Sequence, residues 1–131
     1  MILLNIDGRD LSGLDISSYS STYELLDGEG TGRTNAPTWD LIRDCHGMGV
    51  NFQIEIARPR SDDDDFRFFM QTFMSLRQRE FVRVIHTDML GEQWNQEMYY
   101  IVRGVSVEKF DNDFIYLEDV QANFIFRRGI L

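Results

Sequence analysis

Residues 50–76 read VNFQIEIARPRSDDDDFRFFMQTFMSL, and this stretch decides the predicted fold because its hydrophobic period changes partway along it. In the first part every second residue is apolar, which is typical of a strand with one buried face. Arg58-Pro59 ends this strand, since proline has no N–H to donate to a sheet ladder. The sequence therefore predicts a strand over Val50–Ala57, whose buried face carries Val50, Phe52, Ile54 and Ile56.

A helix is predicted directly after this strand, beginning at Ser61. Ser61 can cap the first free N–H groups, with Asp64 three residues further on as in a capping box. The four aspartates 62–65 suit the positive end of the helix dipole. The apolar residues then recur at the spacing of one helix face, at Phe66, Phe69, Met70, Phe73 and Leu76.

The rest of the chain reads mainly as strands, with turn signals at Asp7-Gly8, at 91–95 and at 111–113. Strands are predicted over Ile2–Ile6, Leu14–Leu26, Phe81–Thr87, Glu97–Lys109 and Phe114–Arg127. Runs of strands around one helix predict a mainly β (α+β) fold, an antiparallel β-sandwich or open barrel with one flanking α-helix. A chain of 131 residues fits a single domain, 1–131.

Two stretches fit poorly into a self-contained core. Leu14–Leu26 is polar on both faces for much of its length, which predicts an edge strand or a protruding arm. Residues 27–49 contain five glycines and no clear periodicity. Loops longer than about 12–15 residues are uncommon in compact domains and are usually functional or disordered. Because its apolar residues Trp39, Leu41 and Ile42 need burial against the core or another subunit, we predict a long assembly loop over about 27–49.

Charge and composition limit the function classes. The chain has 13 basic and 22 acidic residues, for a net charge of −9, which argues against a protein that grips the nucleic-acid backbone. Lys109 is the only lysine, and arginine suits polar subunit interfaces because it pairs with carboxylates in planar geometry. The single Cys45 excludes an intramolecular disulfide. The N-terminal sequence lacks the basic segment of a signal peptide, so synthesis and folding in the cytoplasm are expected.

No motif carries recognisable chemistry, so we expect a protein that is not an enzyme and has no cofactor and no metal. The glycine-rich run 28–34 lacks the Gly-Lys-Ser/Thr of a Walker loop and leads to Pro37 instead of a helix. Asp62–Asp65 favours capping over calcium binding, because consecutive helical residues point in different directions. A metal-assisted hydrolase that uses His46, His86 and the aspartates 62–65 stays open as an alternative.

Along most of its length the chain resembles the small tail structural proteins of siphophages and prophages of Gram-positive bacteria. The resemblance lies in the order of short matches more than in any one of them. These matches are the Asp7-Gly8 turn, Ser17–Tyr23, Leu26-Asp27, Arg33-Thr34, Arg43-Asp44, Gly47, the strand at Val50–Ile56, the central helix, Tyr99–Val102 and Phe124–Phe126.

This resemblance implies a tail-tube-like or baseplate/hub-like protein of the virion tail, made in the host cytoplasm. Its copies form a ring, implied to be hexameric, and DNA passes through the lumen without specific binding. The implied partners are copies of itself and neighbouring tail proteins, with no membrane and no small-molecule substrate. We expect Arg33, Thr34, Trp39 and Arg43 at the subunit interface, with Trp39 in a neighbour's pocket and the arginines on its carboxylates.

A different class of function stays open, a monomeric β-sandwich that binds carbohydrate or peptide. Exposed aromatic side chains would form its binding platform, and Trp94 with Tyr99–Tyr100 are the candidates. This alternative predicts a monomer at micromolar concentration with saturable ligand binding, whereas the tail protein is expected to assemble.

Overall fold

A computed structural model describes residues 3–27, 32–33, 41–42 and 45–127 of the chain. It is mainly β with one helix, as predicted. The elements are β1 (Leu4–Ile6), β2 (Arg9–Asp10), β3 (Ile16–Asp27), β4 (Gly32–Arg33), β5 (Leu41–Ile42), β6 (Cys45–Ile56), α1 (Asp64–Arg79), β7 (Val82–Thr87), β8 (Gln93–Arg103), β9 (Val107–Phe110), β10 (Ile115–Leu117) and β11 (Val120–Phe126).

Seven strands form one antiparallel sheet in the order β2-β1-β7-β8-β11-β6-β3. The pairs β4–β5 and β9–β10 form two small separate sheets. Because β3 ends the large sheet, the prediction of an edge strand over Leu14–Leu26 is confirmed.

The hydrophobic core lies between one face of this sheet and α1. Aromatic rings form its centre: the ring centroids of Phe52 and Phe124 are 4.3 Å apart, and those of Tyr100 and Phe124 are 4.6 Å apart. The ring of Phe69 in α1 stacks on the Tyr100 ring at 4.9 Å, and the Tyr100 hydroxyl donates a hydrogen bond to the Phe69 carbonyl oxygen. The alternating residues of β6 share this face, at Val50, Phe52, Ile54 and Ile56.

The sheet is strongly curled. The ring centroids of Phe52 in β6 and His86 in β7 are 4.3 Å apart, although two strands lie between β6 and β7. In a flat sheet three strand spacings would separate them by roughly 14 Å. The sheet therefore bends around the core into an open barrel, with the buried face concave and the outer face convex.

The helix begins later than predicted. Asp63, not Ser61, is the N-cap, and its side chain accepts the N–H of Asp65. Ser61 instead binds β10, where its hydroxyl accepts the N–H of Ile115 at 2.8 Å and its own N–H donates to the Ile115 carbonyl at 2.9 Å. These tertiary hydrogen bonds hold Ser61 outside the helix. The predicted apolar face is confirmed, with Phe66 and Phe69 buried and the other three residues packed against the core.

Three predicted boundaries are wrong for non-local reasons. β6 already begins at Cys45 because its first residues pair with the end of β3, within a stretch predicted to be loop. The Glu97–Lys109 strand is broken after Arg103, where Gly104 has a positive φ of 32° and the chain leaves the large sheet. The last strand is broken in the same way into β10 and β11, because β10 pairs with β9.

Candidate assembly interface

The most conspicuous surface feature is the outer edge of β3. This strand has 12 residues and pairs with β6 along its length, from Ile16 opposite Ile56 to Asp27 opposite Cys45. On its other side it has no strand partner in the described part of the chain. At roughly 3.4 Å per residue the edge is about 40 Å long. Unpaired N–H and C=O groups along such an edge are a template for another strand.

Among the described residues, the middle of this edge carries none of the side-chain features that usually block pairing. Natural edge strands are blunted by lysine, proline, inward charges or bulges. Between Ile16 and Tyr23 there is no charged residue and no proline. Irregularities occur only near the two ends, between Ile16 and Ser18 and between Leu26 and Asp27. The middle of β3 is therefore a regular edge on which another strand can pair.

The opposite edge of the sheet is short and already occupied. It is formed by β2, which has two residues, Arg9 and Asp10. Arg9 binds Asp65 of α1 through a 2.9 Å ion pair, and the same carboxylate accepts the N–H of Gly13 at 2.8 Å. β2 is thus tied to the helix and offers little backbone to a partner.

A second open edge lies within the sheet, on β8. This strand pairs with β11 from Met98 to Arg103, whereas β7 covers it only from Gln93 to Met98. Residues 99–103 therefore have β11 on one side and, among residues 3–27 and 45–127, no strand on the other. Ile101 lies in this segment and is 44% exposed.

The convex face of β3, β6 and β11 has a distinct chemical character. Its side chains come from the residues that alternate with the core positions, and they are mainly hydroxyls and amides. Asn51 is held in place, since it donates to Glu24 at 3.2 Å and accepts the N–H of Phe126 at 3.0 Å. The described side chains of these three strands on this face include no basic residue; they are Ser18, Ser20, Thr22, Glu24, Asn51, Gln53, Glu55, Gln121, Asn123 and Ile125.

On the concave face a buried hydrogen-bond chain holds β3 against β7 and β8. His86 is completely buried, with Nδ1 3.1 Å from the Tyr19 hydroxyl and Nε2 2.9 Å from the Gln96 amide. Burial lowers the pKa of His86, which favours the neutral ring, and burial raises the pKa of Tyr19 to about 12. When the Gln96 amide nitrogen faces His86, Gln96 also bonds both the N–H and C=O of Val50, at 3.2 Å.

A second contact ties β3 to the turn between β7 and β8. The Asp88 carboxylate accepts the N–H groups of Leu90 and Glu92 at 2.9 Å and the indole N–H of Trp94 at 2.8 Å. Tyr23 of β3 also donates a hydrogen bond to this carboxylate, which is the contact that joins β3 to the turn. Burial alone would raise the pKa of Asp88, but the hydrogen bonds together lower it. This network places the turn at 88–92, earlier than the predicted turn at 91–95.

Of the four predicted interface residues, the structure describes only the backbone of Arg33. Thr34, Trp39 and Arg43 lie outside the described residues, and Arg33 lies in β4, with its backbone paired to Leu41 and its side chain undescribed. Their interface role therefore stays a prediction. The open segment of β8 was missed, because nothing in its residues distinguishes a covered strand from an uncovered one.

The proposed aromatic platform of the alternative function does not form from the expected residues. Tyr100 is buried in the core, and Trp94, on the same face of β8, donates its indole N–H to Asp88. Tyr99 lies on the opposite face, where it packs edge-on against Phe81 at 6.1 Å. These three side chains therefore do not make one binding surface.

No family model matches the chain, and a search of curated proteins finds no relative. The described residues contain no helix with the length and apolarity required to cross a membrane. They also hold no group of three or more histidine, cysteine, aspartate or glutamate side chains that could bind a metal ion. His86 lies in the core, and the side chain of His46 is not described.

Proposed function

We propose that this protein is a structural subunit of a bacteriophage or prophage-derived tail, which assembles into a ring around the DNA channel as a tail-tube or baseplate component. The observation that carries the proposal is the 12-residue edge of β3, whose middle is regular and uncharged and which has no strand partner among the described residues, on a curled antiparallel sheet. A free edge is a hazard in a monomer, and pairing with a neighbour removes it. The partners are copies of the chain and neighbouring tail proteins.

The convex face supports the same function. A conduit must let DNA pass without holding it, and a surface that carries carboxylates and no clustered lysine or arginine does not attract the DNA phosphates electrostatically. We place the face of β3, β6 and β11 toward the channel on this ground. A ring of six copies would carry a charge of −54, since each chain carries −9.

The segment between β3 and β6 is assigned to subunit contacts in this proposal. It leaves the large sheet where β3 ends at Asp27 and returns where β6 begins at Cys45. Arg33, Thr34, Trp39 and Arg43 belong to it, so we place them against a neighbouring copy.

The test is the mass of the purified protein by light scattering over a range of concentrations, with negative-stain electron microscopy of the same samples. Rings or tubes support the proposal. A monomer that binds a carbohydrate or an extended peptide saturably would replace it with the binding-module function. Ser20→Lys puts a charge in the middle of the β3 edge and should reduce the assembled fraction. Met74→Lys, on the exposed side of α1, is the matched control and should not.

A further inference from the structure

We propose that His86, Gln96 and Val50 form a proton-sensitive link between β6 and β8. The link holds the first half of β6, residues 45–50, to the rest of the sheet while His86 is neutral, and it opens when His86 is protonated. The end of β3, residues 23–27, is paired with this half of β6 and moves with it. The link lies inside one copy of the chain, so it does not depend on the proposed assembly.

The large sheet separates at the level of Val50. β11 pairs with β6 only as far as Phe124 opposite Phe52, whereas it continues along β8 as far as Phe126. Two residues from Phe52, the side-chain amide of Gln96 bonds both the N–H and the C=O of Val50. A residue of a neighbouring antiparallel strand makes the same two bonds. Gln96 of β8 therefore takes the place of a β11 residue at this position.

Only one orientation of the Gln96 amide satisfies every group around it. With its nitrogen 2.9 Å from His86 Nε2, the nitrogen also donates to the Val50 carbonyl and the oxygen accepts the Val50 N–H, each at 3.2 Å. The reverse orientation places oxygen against the carbonyl and nitrogen against the N–H. Because Gln96 donates to Nε2, the proton of the neutral ring lies on Nδ1 and is donated to the Tyr19 hydroxyl oxygen at 3.1 Å.

A second proton on His86 is incompatible with this arrangement. The charged ring has an N–H on both nitrogens, so Nε2 would face the Gln96 amide as donor against donor. Rotating the amide presents its oxygen to this N–H but breaks both hydrogen bonds to Val50. Val50 is completely buried, so its backbone groups have no water to bond instead. Protonation of His86 and the pairing of Gln96 with Val50 therefore exclude each other.

The groups that face His86 do not remove this conflict. Tyr19 of β3 contacts the ring directly, and Asp88, in the turn after β7, is the charged group that acts on it. Burial lowers the pKa of His86, and the Asp88 charge opposes this effect without cancelling it. The other elements against the ring contribute groups that do not titrate: Phe52 from β6, Gln96 from β8 and, in the opposing position of β1, Leu4.

Other contacts limit how far the sheet can open. The Phe126 ring packs on Gly49, and Tyr23 near the end of β3 is hydrogen-bonded to Asp88. Neither contact involves the His86 proton. We therefore expect a local opening, in which residues 45–50 and 23–27 loosen while the second half of β6 stays paired with β11.

Amide hydrogen exchange, measured by NMR while the pH is lowered from 7 until the His86 ring protonates, tests the link. The nitrogen shifts of the ring report its protonation, and exchange is expressed relative to the unfolded chain at each pH. The Val50 amide should lose protection by about tenfold or more as the ring protonates. The Ile54 amide should keep its protection, since Ile54 is paired with Ala122 of β11. Unchanged protection of Val50, or equal loss at both amides, would overturn the inference.

The ring nitrogens give a second test that needs no substitution. At neutral pH their shifts should place the proton on Nδ1, and a proton on Nε2 would contradict the link. Gln96→Glu supplies a group that accepts but cannot donate, so the Val50 amide should lose protection already at pH 7. Gln93→Glu, the same change at an exposed position of β8, is the matched control and should leave Val50 protected. Equal protection of Val50 in the two variants would also overturn the inference.

Discussion

Tyr19 and His86 are hydrogen-bonded across the open side of the barrel, with 3.1 Å between the Tyr19 hydroxyl oxygen and His86 Nδ1, although three strands of the sheet separate β3 from β7. This contact joins the edge strand to the far wall of the core. It fixes the curl of the sheet and hence the position of the edge through which we propose the protein assembles.

Tyr19→Phe should destabilise the fold. It keeps the ring that stacks on Phe52 at 5.3 Å but leaves His86 Nδ1 buried without its hydrogen bond. We expect a loss of about 1–3 kcal/mol in the free energy of unfolding, measured by urea denaturation. Ser20→Ala, at an exposed neighbouring position, should change the same quantity by less than about 0.5 kcal/mol. Equal effects of the two substitutions would contradict the role of the Tyr19 hydroxyl.

His86 should make stability depend on pH. Burial lowers its pKa in the folded protein below the ordinary value of 6.5, so the unfolded chain binds the proton more readily. The free energy of unfolding should therefore fall as the pH drops below about 6.5, and His86 should contribute no change above that value. Denaturation at several pH values between 5 and 7, above the range where most carboxylates titrate, measures the slope of the free energy of unfolding against pH. In His86→Gln the slope should be smaller, and an unchanged slope would assign it to another group.

Phe124→Ala should be among the most damaging core substitutions. The Phe124 ring is completely buried and stacks against both Phe52 and Tyr100. Removing it should lower the free energy of unfolding by about 3–5 kcal/mol, measured by chemical denaturation. Phe110→Ala is the control, because Phe110 is 75% exposed at the end of β9 and its loss should cost little in the monomer.

Gly49→Ala should destabilise the start of β6. The Phe126 ring occupies the place where a Cβ at position 49 would lie, so the added methyl group must displace it. Overpacking of this kind costs about 1–3 kcal/mol. In the background of Phe126→Ala, which removes the ring, the same substitution should cost much less. Additive effects of the two changes in a double-mutant cycle would contradict the contact.

Local patterns were enough to predict the regular elements. The alternation over Val50–Ile56 and the apolar stripe of α1 both depend on neighbours in the chain and were found where expected. The turn at Asp7-Gly8 was also predictable from adjacent residues. In the structure both residues have a positive φ, 52° and 86°, which an Asp-Gly hairpin turn requires. Even the edge position of β3 followed from its polar residues.

The ends of the elements and the candidate site depend on distant residues. Ser61 was a plausible cap, but Ile115 of β10 binds it and leaves the cap to Asp63. The pairing of β10 with β9 likewise broke two strands that looked continuous. The Tyr19–His86 contact and the open edge at Ile101 have no local signature at all. Alternation and helical periodicity are set by adjacent residues, so the sequence alone determined the helix and the regular parts of the strands. Only the tertiary structure decides which hydrogen-bonding groups remain unpaired, because each pairing joins residues far apart in the chain.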